Sequence, residues 1–377
     1  MPLTCENIVP LSFFKRVPAA HSAHVTAVPF LSFQDAMHYL IAAFDLAGKT
    51  ILLPSFYCDV TLDDFRKHGL TVRLYATDHA RFDADISDFY DKIASDPPDI
   101  VVVYNYFGKT SGLYDDPRWV EALKPGAFIV SDYAHTLYDF AEPKFLHPRH
   151  VVIDSARKTT GCMMAHLIAP AGFVPDGRKI ANVSAFRLLV RLLFLGKNFC
   201  LRWGQGLGLV ALVRLGLRIY GLHDDLIGSR QPAFAAFGFD DRIYRHIDFA
   251  RIKAHKATLY AAYRSAFAQA AAAGCVFLLP VPRGEDQNLC FFPVRVMAES
   301  SVPELLQHLE NHGYWVEQLW NFDAIKTLSA AERAWSKSVL ALPFTPATTI
   351  QDIHAMAALV ESFYAEPATD IVAAEIS

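Results

Sequence analysis

The chain has 377 residues, 53% of them hydrophobic and 20% charged, with a formal net charge of −4. That length and apolar content suit a globular protein of two domains with a large core. The mildly negative balance gives no footing for a nucleic-acid partner, and there is no zinc-finger, RRM or helix-turn-helix signature. Cys5, Cys58, Cys162, Cys200, Cys275 and Cys290 are scattered without paired metal-ligand spacing. This usage suits a reducing compartment better than a disulfide framework and raises no expectation of a metal. Residues 1–16 lack a basic start followed by a long apolar run, so no secretory signal is expected and a cytoplasmic location is.

Residues 1–28 read as an N-terminal arm ahead of a large domain over 29–239. In that domain Ser32, Phe33 and Gln34 precede a helical stretch at 36–44. Short apolar runs follow at 51–54, 71–75, 100–106, 128–132, 151–154 and 163–168, alternating with amphipathic stretches such as 59–68 and 116–123. Apolar runs separated by crossover helices predict an α/β domain with a largely parallel sheet. Ligands of such sheets collect beyond the carboxyl ends of the strands. Asp132 ends one run and Ser155-Ala156-Arg157-Lys158 follows the next, so both belong at that edge.

Segment 178–222 has a different texture. Leucines, glycines and aromatics are interleaved with Arg187, Arg191, Lys197, Arg202, Arg214 and Arg218, and no acidic residue occurs. The charges interrupt every window long enough to span a bilayer, which argues against a transmembrane helix. Two readings stay open: helices packed on the large domain or on a second subunit, or a peripheral surface that lies on a membrane. From 240 to 366 a helical pattern at 247–272, apolar runs at 277–279, 289–296 and 315–319, and helices at 302–312 and 349–363 predict a smaller α/β domain. Residues 367–377, rich in Ala, read as a frayed tail.

The pairing of Asp132 with Lys158 is the most informative feature. A buried Asp at one strand end and a Lys just after the next strand is the arrangement a pyridoxal 5'-phosphate (PLP) enzyme needs. The Lys forms a Schiff base with the aldehyde, and the Asp pairs with the protonated pyridine nitrogen so that the ring stays an electron sink. A phosphate is favoured where backbone amides at a helix start are free. Ser32 to Gln34 supply such a start, and Ser32 also suits a plain N-cap.

The ordered segments resemble the DegT/DnrJ/EryC1/StrS family of fold-type-I PLP-dependent aminotransferases over nearly the whole chain. They are Ser32-Phe33-Gln34-Asp35-Ala36-Met37, Leu53-Pro54-Ser55-Phe56-Tyr57-Cys58, Tyr106-Phe107-Gly108, Asp132-Tyr133-Ala134-His135 and Ser155-Ala156-Arg157-Lys158. In the second domain they are Phe291-Phe292-Pro293-Val294, Gly313-Tyr314-Trp315-Val316 and Leu342-Pro343-Phe344. The resemblance implies a fold-type-I transferase, with a large domain built on a mainly parallel sheet of the seven-stranded type and a small C-terminal α/β domain. It implies Lys158 as the catalytic Schiff-base residue and proton carrier, and Asp132 as the pyridinium partner. His135 would lie beside the ring oxygen, where the family has Gln or His. Ser155 would add a phosphate hydroxyl, with Ser32, Phe33, Gln34 and Cys58 around the cofactor. The implied reaction moves an amino group from an amino-acid donor, glutamate or glutamine, to a small-molecule carbonyl acceptor: a keto sugar, often nucleotide-linked, or a related ketone. A homodimer with sites near the subunit boundary is implied as well. Members that dehydrate sugars replace the Lys with His, so Lys158 favours transamination.

The chain also departs from the family pattern. Phe33 stands where a Gly is usual, and Cys58 where many members place a ring over the pyridine, which leaves ring contact to Tyr57 or Phe56. Gly161-Cys162-Met163-Met164 replaces a Gly-Glu-Gly-Gly turn. The basic, leucine-rich stretch replaces the Tyr-Asn-Tyr-Arg segment and the Glu-Ile-Gln-Ala helix. These departures favour the alternatives of a non-catalytic relative acting as a binding or membrane-surface protein, or a PLP enzyme of another reaction type. Arg157 and Arg251 are candidates for a substrate carboxylate, because guanidinium groups suit carboxylates and phosphates.

Overall fold

The computed structural model describes residues 3–6, 9–15, 25–138, 144–173, 180–181, 185–227, 233–282, 284–319 and 330–365. The expected tail at 367–377 lies outside them.

Seven strands form the large sheet: β1 (Val25–Phe30), β2 (Thr50–Pro54), β3 (Thr71–Tyr75), β4 (Ile100–Tyr104), β5 (Phe128–Tyr133), β6 (His150–Asp154) and β7 (Ala165–Pro170). Their order across the sheet is β1-β7-β6-β5-β4-β2-β3. Neighbours are parallel except at β7, which runs against both β6 and β1. The α/β class with a largely parallel sheet is therefore the observed one. β1 draws the end of the expected N-terminal arm into the sheet, as the edge partner of β7.

Strand β4 shows how the core is divided. Its sequence, IVVVY, is buried along its whole length, as expected for a sheet covered on both faces. Pleating sends alternate side chains to opposite sides. Ile100, Val102 and Tyr104 meet Ile51, Leu53, Phe128 and Val130 under helices α1 (Phe33–Ala43) and α2 (Asp59–Lys67). Val101 and Val103 meet Phe89, Trp119 and Ile129 beneath α3 (Ile86–Ser95). The same alternation puts Asp132, two residues beyond Val130, on the α1 side. The helix expected at 116–123 is a 3-10 helix, Pro117–Ala122. Pro117 follows the Asp116 cap directly, and six residues end before an α-helix is established.

The smaller sheet is antiparallel, in the order Val276–Leu278, Phe292–Val296, Val339–Leu342, Glu317–Gln318. Leu259 of helix Phe249–Ala266, Leu305 of Val302–Asn311 and Ile353 of Ile350–Ala365 pack with Val294 and Leu340 in one apolar cluster. The expected helix at 247–272 is two helices, Phe249–Ala266 and Ala268–Ala272. Leu3–Thr4 pairs in parallel with Tyr314–Trp315, which ties the start of the chain to the segment leading into this sheet.

The chain regions that carry the two sheets meet at the turn after β4. Phe107 and Gly108 both take left-handed backbone angles, with φ of 60° and 108°. The Phe107 carbonyl accepts the Cys290 N–H at 2.7 Å. A Cβ on Gly108 would lie 2.3 Å from the Asn288 carbonyl oxygen, which neither neighbouring backbone can relieve. Gly108→Ala therefore combines a backbone clash with an unfavourable φ, and should cost roughly 1–3 kcal/mol or more. A lower thermal midpoint with the folded-state spectrum retained is the expected result.

Candidate active site

Three strands deliver side chains to one edge. Tyr104 pairs in register with Asp132, and Tyr133 with Asp154. Directly after β6, Ser155 opens the one-turn helix α4 (Ala156–Thr159) that carries Lys158. Asp132, only 2% exposed, accepts a 2.5 Å hydrogen bond from the Tyr57 hydroxyl and a 2.8 Å bond from the Ala134 N–H. Burial pushes its carboxyl up to about 6, against the pull of those two bonds and of the Lys158 charge. A carboxyl held in this way gains from a further positive partner.

Lys158 Nζ lies 3.0 Å from His135 Nε2, and His135 Nδ1 lies 2.6 Å from the Tyr104 hydroxyl. Burial, reinforced by the Lys158 and Arg157 charges, holds the His135 pKa well below its usual value, so the imidazole is neutral. When Lys158 donates to Nε2, the ring proton resides on Nδ1 and the Tyr104 oxygen accepts it. Phe107 stacks near the ring, with interplanar angle 9°, and Phe291 meets it edge-on.

A cavity of about 290 Å³ opens over these groups, lined among others by Phe33, Gln34, Tyr57, Cys58, Tyr104, Asp132, Ser155, Arg157 and Lys158. Phe33 and Gln34 bring the start of α1 to its wall, and the Gln34 Oε1 atom is buried without a hydrogen-bond partner. Ser32 stands behind them as the N-cap. Its hydroxyl accepts the Asp35 N–H at 3.1 Å and donates to the Asp35 carboxylate at 2.5 Å. A second cavity of about 240 Å³ shares Cys58, Lys158 and Asp224 with the first and adds Glu6, His135, Tyr220, Phe291 and Glu317. Of the expected site residues, Phe33, Gln34, Cys58, Asp132, Ser155 and Lys158 line the first cavity, His135 lines the second, and Ser32 lines neither.

The second cavity is acidic. Glu6 is paired with Lys197 at 2.5 Å, and Asp224 takes an ion pair from Arg157. Glu317 is pushed up to about 7 by burial first and by the Glu6 charge second. Arg157 is thus engaged by Asp224, and Arg251 covers Phe13 and donates to the Ser12 carbonyl, on neither cavity. Sequence reasoning did not single out Tyr104, Asp224, Glu6 or Glu317. Tyr104 had a signal, since it ends an apolar run as Asp132 does. So did Asp224, which with Asp225 closes the long acid-free stretch.

His38, Asp64 and His68 form a group of described residues whose ligand atoms lie within 4.8 Å of one another. His38 Nε2 is hydrogen-bonded to Asp64 at 2.6 Å, and His68 approaches the other carboxylate oxygen at 3.6 Å. Burial alone would raise the Asp64 pKa, but the hydrogen bonds from the two histidines hold it below the usual carboxylate value. Asp64 joins the two rings and clips α1 to α2, while His38 Nδ1 is buried without a hydrogen-bond partner.

No protein-family model matches the sequence, and no curated protein does. Solved structures do. 3-Amino-5-hydroxybenzoic acid (AHBA) synthase is 14% identical, with a TM-score of 0.61 over 94% of this chain and 90% of that one. A DegT DnrJ EryC1 StrS aminotransferase from Brucella abortus is 13% identical, with a TM-score of 0.56 over 89% and 85%. NtdA from Bacillus subtilis with bound cofactor PMP is 14% identical, with a TM-score of 0.57 over 89% and 73%. The fold is that of the fold-type-I aminotransferases. There is a buried acceptor at Asp132, an amine at Lys158 and a hydroxyl at Ser155. The Gln34 amide, whose oxygen has no partner, can turn either end toward a bound group. Cys58 lines both cavities without supplying a ring. Tyr57 lines the first with its hydroxyl committed to Asp132, while Phe56 packs edge-on against Trp335.

Proposed function

We propose that the protein is a PLP-dependent aminotransferase that moves an amino group from an amino-acid donor, glutamate or glutamine, to the carbonyl of a sugar or related ketone. The observation that carries this reading is the convergence of Asp132, at the end of β5, and Lys158, after β6, on one cavity. When bound, the cofactor supplies an electron sink for the carbanion formed at the substrate carbon. The protein supplies placement and proton transfer. Asp132 Oδ2 and Oδ1, fixed by Tyr57 and Ala134, hold the positive charge of the ring nitrogen. The start of α1 and the Ser155 hydroxyl receive the phosphate. Lys158 Nζ would carry the proton between the substrate carbon and the cofactor, steered by the neutral His135.

The acidic second cavity suits the hydroxyls of a sugar, since carboxylates accept hydrogen bonds from several of them. A homodimer in the cytoplasm belongs to this reading. Glutamate or glutamine added to the PLP-loaded protein should convert its visible absorbance to that of the amine form. Absorbance unchanged with every amino acid offered would overturn the donor half of the reading.

Tyr104 is a positioning residue in this scheme. Tyr104→Phe leaves the His135 Nδ1 proton without its acceptor, a loss of roughly 1–1.5 kcal/mol. Turnover should fall about tenfold. The pH profile should shift with it, whereas a purely structural loss would leave the profile in place.

A further inference from the structure

Helices α5 (Ala185–Leu207) and α6 (Val210–Ile227) form a hairpin. Val190, Phe194 and Leu201 of α5 and Val213 of α6 turn inward and are buried. On the outer side Leu188, Leu192, Leu195, Phe199, Trp203 and Leu207 are between 47% and 60% exposed. Their spacing of three and four residues places them on one stripe along a helix of 23 residues, about 34 Å long. Leu215 and Leu222 extend the apolar surface onto α6, at 47% and 59% exposure.

The charges divide into two sets. Arg187 lies over the Phe237 ring, Arg191 pairs with Asp240, and Lys197 pairs with Glu6. Those three are structural. Arg202, beside Trp203, and Arg218, between Leu215 and Leu222, are exposed on the outer side. Arg214 is also exposed and reaches Glu310 at 3.2 Å. No Asp or Glu occurs from 178 to 222.

We propose that this hairpin seats the protein on an anionic lipid bilayer, lying in the plane of the headgroups. An apolar stripe bordered by arginines is the pattern of an interfacial helix, which buries its apolar side at the acyl boundary while its cations meet anionic headgroups. Phe199 and Trp203 belong at that depth. No helix among the described residues is long and apolar enough to cross a membrane. A second copy fits this face less well: an isologous contact would bring Arg202 and Arg218 of both copies into one interface, with no Asp or Glu on the stripe to pair with them. Because α6 also gives Tyr220 and Asp224 to the cavity wall beside Lys158, the docked face adjoins the candidate active site.

Flotation of the full chain with vesicles tests the proposal, and it needs neither cofactor nor turnover, so its failure is distinct from a failure of the transaminase reading. Binding is expected with phosphatidylcholine–phosphatidylglycerol vesicles, at least about tenfold above phosphatidylcholine alone, and should weaken as salt rises. Leu192→Glu/Phe199→Glu/Trp203→Glu should remain unbound, with its melting transition intact. Arg202→Glu/Arg218→Glu leaves the apolar stripe untouched and should lower affinity about tenfold or more. That pair decides the question if the triple variant does not fold. Absence of flotation in the parent, or flotation unchanged in both variants, overturns the proposal. So does a dimeric parent that never floats and becomes monomeric in the triple variant, an outcome that assigns the face to a second copy. Equal binding to neutral and anionic vesicles removes the role given to Arg202 and Arg218.

Discussion

Lys158→Ala should lose amino transfer by about 10⁴-fold or more, because one atom, Nζ, both anchors the cofactor and moves the proton. The variant should still bind the cofactor noncovalently, since Asp132, Ser155 and the start of α1 are untouched. The effect on folding should be small, because α4 is a single turn whose neighbours Ala156, Arg157 and Thr159, and not Lys158, are its buried residues. Added methylamine should restore part of the rate by replacing the missing amine. Activity within tenfold of the parent would remove Lys158 from the role given to it.

The second large effect lies at Asp132, and its sign differs between function and stability. Asp132→Asn keeps the acceptor for the Ala134 N–H and turns its NH2 toward the Tyr57 oxygen, but removes the charge that holds the pyridinium. Loss of one partner from a buried ion pair costs about 3–5 kcal/mol, so amino transfer should fall by roughly two to four orders of magnitude. In the cofactor-free protein the carboxyl stands at about 6 against an ordinary 3.8, mainly through burial. A raised folded-state pKa means that protonation favours folding. That stabilisation is complete below 3.8 and is lost as the pH rises through about 6, so at neutral pH the buried carboxylate opposes folding. The neutral amide removes this opposition. Cofactor-free Asp132→Asn should therefore be more stable than the parent at pH 7.5, by on the order of 1–3 kcal/mol, and the gap should close near pH 4. Denaturant unfolding at the two pH values measures it. Such a residue is kept for chemistry at a cost in stability.

Much of the large sheet is legible in the sequence, for a physical reason. Burial on both faces gives β2, β4, β5 and β6 apolar centres, ILL, IVVVY, FIV and VVI, of which IVVVY is the clearest. β1, VTAVPF, has no such signature. It is half-buried and contains Thr26 and Pro29, and its pairing with β7, Phe30 opposite Ala165, makes it a strand. The same division runs through the site. Asp132 and Lys158 announce themselves because each follows its own apolar run. Their partners come from distant parts of the chain: Tyr57 is 75 residues from Asp132, and Asp224 is 67 from Arg157. No local pattern records such pairings. The loss of the family's Gly-Glu-Gly-Gly turn and of its stacking ring favours a non-catalytic relative when read alone. Cys58 nevertheless lines both cavities, and Lys158 remains 3.0 Å from the buried, neutral imidazole of His135.

The most direct test is the visible spectrum of the purified protein with added PLP, followed by borohydride reduction and peptide mapping. A band that reduction converts into a stable adduct on the peptide carrying Lys158 is expected, with no adduct in Lys158→Ala. A protein that shows no band, or one that carries the label on another lysine, would contradict the role given to Lys158.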